Sequence, residues 1–129
     1  MKAAIMKGYG SNSEFVIAEM EMPHIGDEDV LIEVRSSSVN PIDFKLHKAV
    51  SYLPRNGGFL KPIILGRDVS GVVKRKGSSV RDIQVGDAVY GVSMNFLTGA
   101  YAEFAAVKAK HIAPMPVNVS FEEAASLPL

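Results

Sequence analysis

Residues 62–73 read PIILGRDVSGVV. Ile63, Ile64 and Leu65 on one side, and Val69, Val72 and Val73 on the other, make the stretch a strand by composition. Arg67 and Asp68 sit in its middle, directly after Gly66. Charges inside an apolar strand persist only when they are paired or hydrogen-bonded. The stretch therefore predicts a core strand with a polar point buried on it.

Strand signals continue on both sides. Ala3 and Ile5 alternate with Lys2, Ala4 and Met6, and residues 14–20 (EFVIAEM) are rich in β-formers. Val30, Ile32 and Val34 alternate with Asp29, Leu31, Glu33 and Arg35, the period of a half-buried strand. Val69, Gly71 and Val73 alternate with Asp68, Ser70 and Val72, and Ala88–Tyr90 and Tyr101–Val107 are further strands. Turns are expected at Gly8–Gly10, His24–Asp29, Gly77–Ser79 and Gly86-Asp87, with Lys74-Arg75-Lys76 as a solvated turn before Gly77. Pro41–Ala49 predicts a helix with Asn40 as its cap and Ile42, Leu46 and Ala49 on one face. Ser120 and Glu123 have the capping-box spacing that opens a second helix. Val50–Lys61 holds Pro54, Gly57 and Gly58 and is expected to be the least ordered internal segment.

The chain has 129 residues, which suits one domain. Fourteen basic residues balance fourteen acidic ones, so no electrostatic footprint for nucleic acid or an anionic membrane is present. Cysteine is absent, which excludes disulfides, thiolate nucleophiles and Cys-ligated metals, and fits a cytoplasmic protein. Only four apolar residues lie between Lys2 and Lys7, too few for a signal peptide. No window reaches the roughly 18 apolar residues of a membrane helix. His24, His47 and His111 are not spaced to share a metal. Many short strands with one early helix argue a mainly β domain, barrel or sandwich.

Six blocks in order carry a resemblance: MKAAIM, SSVNPIDFKLHKA, LGRDVSGVV, VGDAVYG, GAYAEFAAV and FEEAASLPL. Together they resemble the N-terminal catalytic domain of the medium-chain dehydrogenase/reductase superfamily, and within it the zinc-free quinone oxidoreductase branch. The resemblance implies a GroES-like, partly open β-barrel with one or two short helices. It also implies a Rossmann domain beyond residues 1–129, since no G-x-G-x-x-G loop follows a strand into a helix here. The expected activity is reduction of quinones or α,β-unsaturated carbonyls by NADPH or NADH, with neither cofactor held tightly by these residues alone. The 129 residues by themselves are expected to be inactive or nearly so. A non-catalytic GroES-like binding or assembly module is the alternative, since fold does not fix function.

In the zinc-dependent relatives a Cys and a His bind the catalytic metal; Asn40 and Arg67 stand at those positions here. An amide and a guanidinium are no replacement for thiolate and imidazole, so no zinc is expected. Only Gly91–Thr98 separates the blocks that flank the relatives' four-cysteine loop. Asp43 and Asp68 match acidic positions of the family, and Asp43 is the expected partner of Arg67. The catalytic set implied by the resemblance is Asn40, Asp43, Arg67 and Asp68. Asn40 and Lys45 would contact substrate and cofactor, and Tyr52 the substrate entrance. Two bland readings stay open: Arg67 and Asp68 as a structural ion pair, and Asn40 as a helix cap alone. Met94 beside Phe96 reads as packing. Phe121, Ala124, Ala125 and Leu127 are expected to form an apolar surface that would allow a homodimer.

Overall fold

The computed structural model describes residues 1–7, 13–51, 62–95 and 98–128. The turn expected at residues 8–10, Tyr52, Phe96 and most of the loop at 50–61 lie outside them. The strands are β1 (Lys2–Lys7), β2 (Glu14–Glu19), β3 (Asp29–Ser36), β4 (Asp68–Lys76), β5 (Ala88–Val92), β6 (Phe104–Lys108) and β7 (Ile112–Pro114). The helices are α1 (Pro41–Ser51) and α2 (Phe121–Ala125), and a 3-10 turn at Ala109–His111 precedes β7.

The protein is mainly β, built as two open sheets rather than a closed barrel. One is the β1–β2 hairpin; the other is antiparallel in the order β6-β3-β4-β5-β7. Val30, Ile32, Val69, Val73, Val80, Ile83, Val89, Ala105 and Val107 form the main core on the large sheet. A smaller cluster of Met6, Ile63 and Leu65, with Leu46 and Tyr101 against it, joins the hairpin to the sheet.

The strand expected over 62–73 is two segments meeting at a corner. Ile63–Gly66 threads between β1 and residues 99–101. On one side the Ile63 carbonyl accepts from Met6 N–H at 3.3 Å. On the other, the carbonyls of Ile64, Leu65 and Gly66 accept from Gly99, Tyr101 and Ala100 at 2.7–2.9 Å. Ile63, Ile64 and Leu65 are each 2 % exposed in consequence. Gly66 then takes φ 98°, a conformation that only glycine adopts without strain, and the Tyr101 ring packs against it. β4 begins two residues later, at the centre of the large sheet.

Several strand edges and faces differ from the sequence expectation. β1 buries Ala3 and Met6 rather than Ala3 and Ile5, because Met6 packs into the cluster of Ile63 and Leu65. β3 buries Leu31 as well as Val30 and Ile32, with a register shift against β4 between Leu31 and Ile32. β6 starts at Phe104 rather than Tyr101, since residues 99–101 are bonded to the Ile64–Gly66 segment. Lys74–Lys76 are the end of β4, not a turn, and Lys74 pairs with Glu33 on the neighbouring strand at 2.7 Å.

Both expected helices form. α1 runs two residues past Ala49. Its inward face is Asp43, Leu46 and His47, while Ile42 and Ala49 point out. α2 has the full capping box: Glu123 N–H donates to Ser120 Oγ at 3.2 Å and Ser120 N–H to Glu123 Oε2 at 2.8 Å. The apolar surface expected on α2 is largely covered. Ala124 and Ala125 are buried against β3, β4 and β5, and Ser70 Oγ donates to the Phe121 carbonyl at 2.6 Å. Leu127 remains exposed.

Candidate functional site

The corner at Gly66–Asp68 and the segment entering α1 meet at one polar spot. Asp68 is the first residue of β4 and fully buried, so its carboxylate needs donors from the chain. They come from residues 37–40, which lead from β3 to α1. Ser38 Oγ donates to Asp68 Oδ2 at 2.6 Å and Asn40 Nδ2 to the same oxygen at 2.8 Å. Ser37 Oγ donates to the Asp68 carbonyl at 2.6 Å. Asn40 Nδ2 also reaches Ser38 Oγ at 3.1 Å, which closes a triangle of three side chains.

Asp43 is 3 % exposed at the start of α1, and its Oδ2 accepts from Asn40 N–H at 2.9 Å. The first turn of α1 thus already holds an anion of its own, which suits the positive end of the helix. Tyr101 gives its hydroxyl hydrogen to the Ser38 carbonyl at 3.2 Å. Burial, then the neighbouring Asp43 and Asp68 carboxylates, hold that phenol well above its ordinary value.

Arg67 is 6 % exposed, and its Nη2 donates to Met94 Sδ at 3.2 Å. The Arg67 carbonyl accepts from Ser93 N–H at 2.6 Å, fixing the corner to the end of β5. Asp43 accepts from the Asn40 backbone and lies beside the Tyr101 phenol, while Arg67 Nη2 meets Met94 Sδ; an Asp43–Arg67 salt bridge, the pairing expected from charge, is not found among the described residues. Asp68 is likewise held by hydroxyl and amide donors.

The structure brings Asn40, Asp43 and Asp68 into one hydrogen-bonded group, with Arg67 next to Asp68 in the chain. Lys45 lies on the exposed side of α1, apart from that group. Ser38, Tyr101 and Met94 belong to the site and were not singled out from the sequence for it. The serine run at 36–38, directly before Asn40, was the available signal for Ser38. Nothing local marks Tyr101, which reaches the site from 63 residues beyond Ser38. Asn40 occupies the residue before α1, but its side-chain amide turns to Asp68 and Ser38, and the cap-type bond runs from its N–H to Asp43 Oδ2.

Among the described residues, no group of three or more His, Cys, Asp or Glu side chains is placed to hold a metal. His47 is engaged elsewhere: its Nε2 meets Ser13 Oγ at 3.2 Å and its ring stacks on Phe15 at 5.3 Å.

Known proteins share this arrangement of elements. The chain is 37 % identical over 136 residues to a 2-methylene-furan-3-one reductase of Solanum lycopersicum, covering 100 % of this chain and 34 % of that protein. It is 36 % identical over 141 residues to an NADPH-dependent alkenal/one oxidoreductase, chloroplastic, of Arabidopsis thaliana, again over 100 % and 34 %. Among solved structures, the quinone oxidoreductase from Coxiella burnetii superposes with a TM-score of 0.80 at 29 % identity, over 98 % of this chain and 41 % of that one. The chain thus spans about a third of the length of these curated relatives. The alcohol dehydrogenase GroES-like domain matches residues 26–117, from the turn before β3 to just past β7. With the two open sheets and the capped helix of the preceding paragraphs, this match places the chain in the alcohol dehydrogenase GroES-like domain family of the medium-chain dehydrogenase/reductase superfamily.

Proposed function

We propose that this chain is the substrate lobe of a zinc-independent, NAD(P)H-dependent oxidoreductase that reduces quinones or α,β-unsaturated carbonyls. The observation that carries the reading is the state of Asn40 and Arg67. Both positions hold nitrogen donors directed at chain acceptors, Asp68 and Met94, and neither side chain presents a nitrogen lone pair to a metal. The relatives' printed activities, on an alkenal or enone and on a 2-methylene-furan-3-one, supply the substrate class.

The site fits one end of a nicotinamide cofactor and not the other. Asn40 Oδ1 is an acceptor that suits the amide or hydroxyl hydrogens at the nicotinamide end. The start of α1 repels a pyrophosphate, because the Asp43 carboxylate already occupies it. A separate nucleotide-binding domain would have to hold the phosphates, and this chain alone would bind NADPH weakly. When bound, the reduced nicotinamide supplies a hydride. This lobe would form one wall of the cleft and orient the acceptor, with Lys45 as a contact; Tyr52, the further contact expected from the resemblance, lies outside the described residues. Such catalysis is positioning and polarisation.

A cysteine-free chain suits a reducing compartment, which supports the cytoplasm, although the Arabidopsis relative is chloroplastic by name. The test is NADPH consumption by the protein carrying this chain, with p-benzoquinone and with an alk-2-enal, before and after dialysis against a chelator. Turnover that survives chelation is expected. Activity lost on chelation and restored by zinc overturns the reading.

A further inference from the structure

We propose that the outer edge of β2 pairs with β2 of a second copy of this chain, antiparallel and two-fold about Ile17. The pairing does not depend on the activity proposed above.

In an antiparallel ladder the N–H and C=O of one residue point to the same side, and successive residues alternate. β1 turns its even positions away from β2. Ala4 N–H donates to the Tyr101 carbonyl at 2.8 Å, Met6 N–H to the Ile63 carbonyl at 3.3 Å, and the Lys2 carbonyl accepts from Glu103 N–H at 3.0 Å. The odd positions of β1 therefore face β2, where Ala3, Ile5 and Lys7 oppose Ala18, Val16 and Glu14. Met1 and Met20 continue the pattern, each nitrogen donating to the other's carbonyl at 2.7 Å. The N–H and C=O groups of Phe15, Ile17 and Glu19 are left pointing outward, and no described residue bonds to them.

This edge is apolar at its centre: Ile17 is 72 % and Phe15 46 % exposed. The strand is also held in place, because the Phe15 ring stacks on His47 at 5.3 Å and meets Tyr101 edge-on at 6.2 Å. No lysine, proline or register shift interrupts β2, and these are the devices that keep such edges from pairing.

A second copy is the occupant that fits. Two-fold pairing about Ile17 sets Phe15 opposite Glu19 of the other copy, and the reverse. All three outward residues of each strand are then used, with two hydrogen bonds for each residue pair. Ile17 meets its own counterpart, a β-branched cross-strand pair. On the other face Val16 meets Ala18 and Glu14 meets Met20. No two carboxylates stand opposite each other, so like charges do not oppose the pairing. A parallel arrangement in register would set Glu14 on Glu14 and Glu19 on Glu19. The contact is one strand wide, which suits a weak, concentration-dependent dimer.

The test is sedimentation of the protein that carries this chain, from micromolar to millimolar concentration. The average mass is expected to rise with concentration toward twice its dilute value. Ile17→Pro removes an outward N–H and spares the ladder to β1, since edge strands tolerate proline at such positions. It should hold the mass at its dilute value. Ile17→Lys and Ile17→Glu, each facing its own charge across the two-fold, should do the same. An equimolar mixture of those two variants should recover association, because opposite charges then face each other. The mixture also decides the matter if Ile17→Pro fails to fold. A wild-type mass that is constant over this range overturns the proposal. So does association that persists in folded Ile17→Pro, or a mixture of the charged variants that stays at the dilute mass.

Discussion

Tyr101 lays its ring against Gly66 and gives its hydroxyl hydrogen to Ser38, beside the Asp43 carboxylate. The folded chain therefore keeps this proton to a higher pH than the unfolded chain, which releases it near the ordinary value of about 10. Above that value the unfolded state binds fewer protons than the folded one, so stability falls as pH rises. Lys108, raised by its hydrogen bond to Asp29 at 2.9 Å, contributes with the same sign. The informative quantity is thus a difference. Urea midpoints measured from neutral to strongly alkaline pH should fall less steeply for Tyr101→Phe than for the wild type. Parallel slopes would mean that the phenol titrates freely in the folded state. At this scale the sequence was half legible. Arg67 and Asp68 announced a buried polar point, but residue types alone did not show which groups meet there. Hydroxyl and amide donors took Asp68 because residues 37–40 run directly over it.

The elements were legible where a local signal existed. Ser120 and Glu123 are three residues apart, and the reciprocal capping bonds form as that spacing demands. α2 is only five residues long, so its cap carries much of its local stability. Ser120→Ala is expected to lower the stability of the chain by about 1 kcal/mol, read as a shift in urea midpoint at constant slope, and Ser120→Asp should recover most of it. No change would show that packing of Ala124 and Ala125 holds α2 without its cap. Element boundaries were less legible. The break at Gly66 looks like strand interior by composition, and its positive φ becomes necessary only because Tyr101 and the Ile63–Gly66 segment meet there. β7 and the 3-10 turn before it carry too few residues to leave a pattern.

For the whole molecule, the structure reverses one expectation. Phe121, Ala124, Ala125 and Leu127 were expected as an uncovered apolar surface; instead α2 packs its two alanines on the sheet beside β4 and leaves Leu127 exposed. Ala124 is 0 % and Ala125 1 % exposed, and the Phe121 carbonyl takes the Ser70 hydroxyl. Ending the chain at Pro116 should therefore uncover buried apolar surface and leave the Ser70 hydroxyl without its protein acceptor at 2.6 Å. The expected outcome is a lower melting temperature and more association, seen by calorimetry and light scattering at equal concentration. A shortened chain that melts at the wild-type temperature would refute the supporting role of α2.

What the sequence determined by itself is the set of local choices: period-two strands, the helix starts after Asn40 and at the Ser120 cap, the absence of cysteine, and a polar point at Arg67-Asp68. Each follows from neighbours a few residues apart, where propensity and hydrogen-bonding options are fixed by residue type. Only the tertiary structure decided which groups share that polar point. Ser38, Asn40, Asp68 and Tyr101 are joined by hydrogen bonds that span 28 to 63 residues of sequence. Those contacts exist because β4 lies at the centre of the large sheet and the chain passes over its first residue on the way into α1. Strand order and crossing position depend on how two apolar clusters fit together, and no short stretch of sequence encodes that.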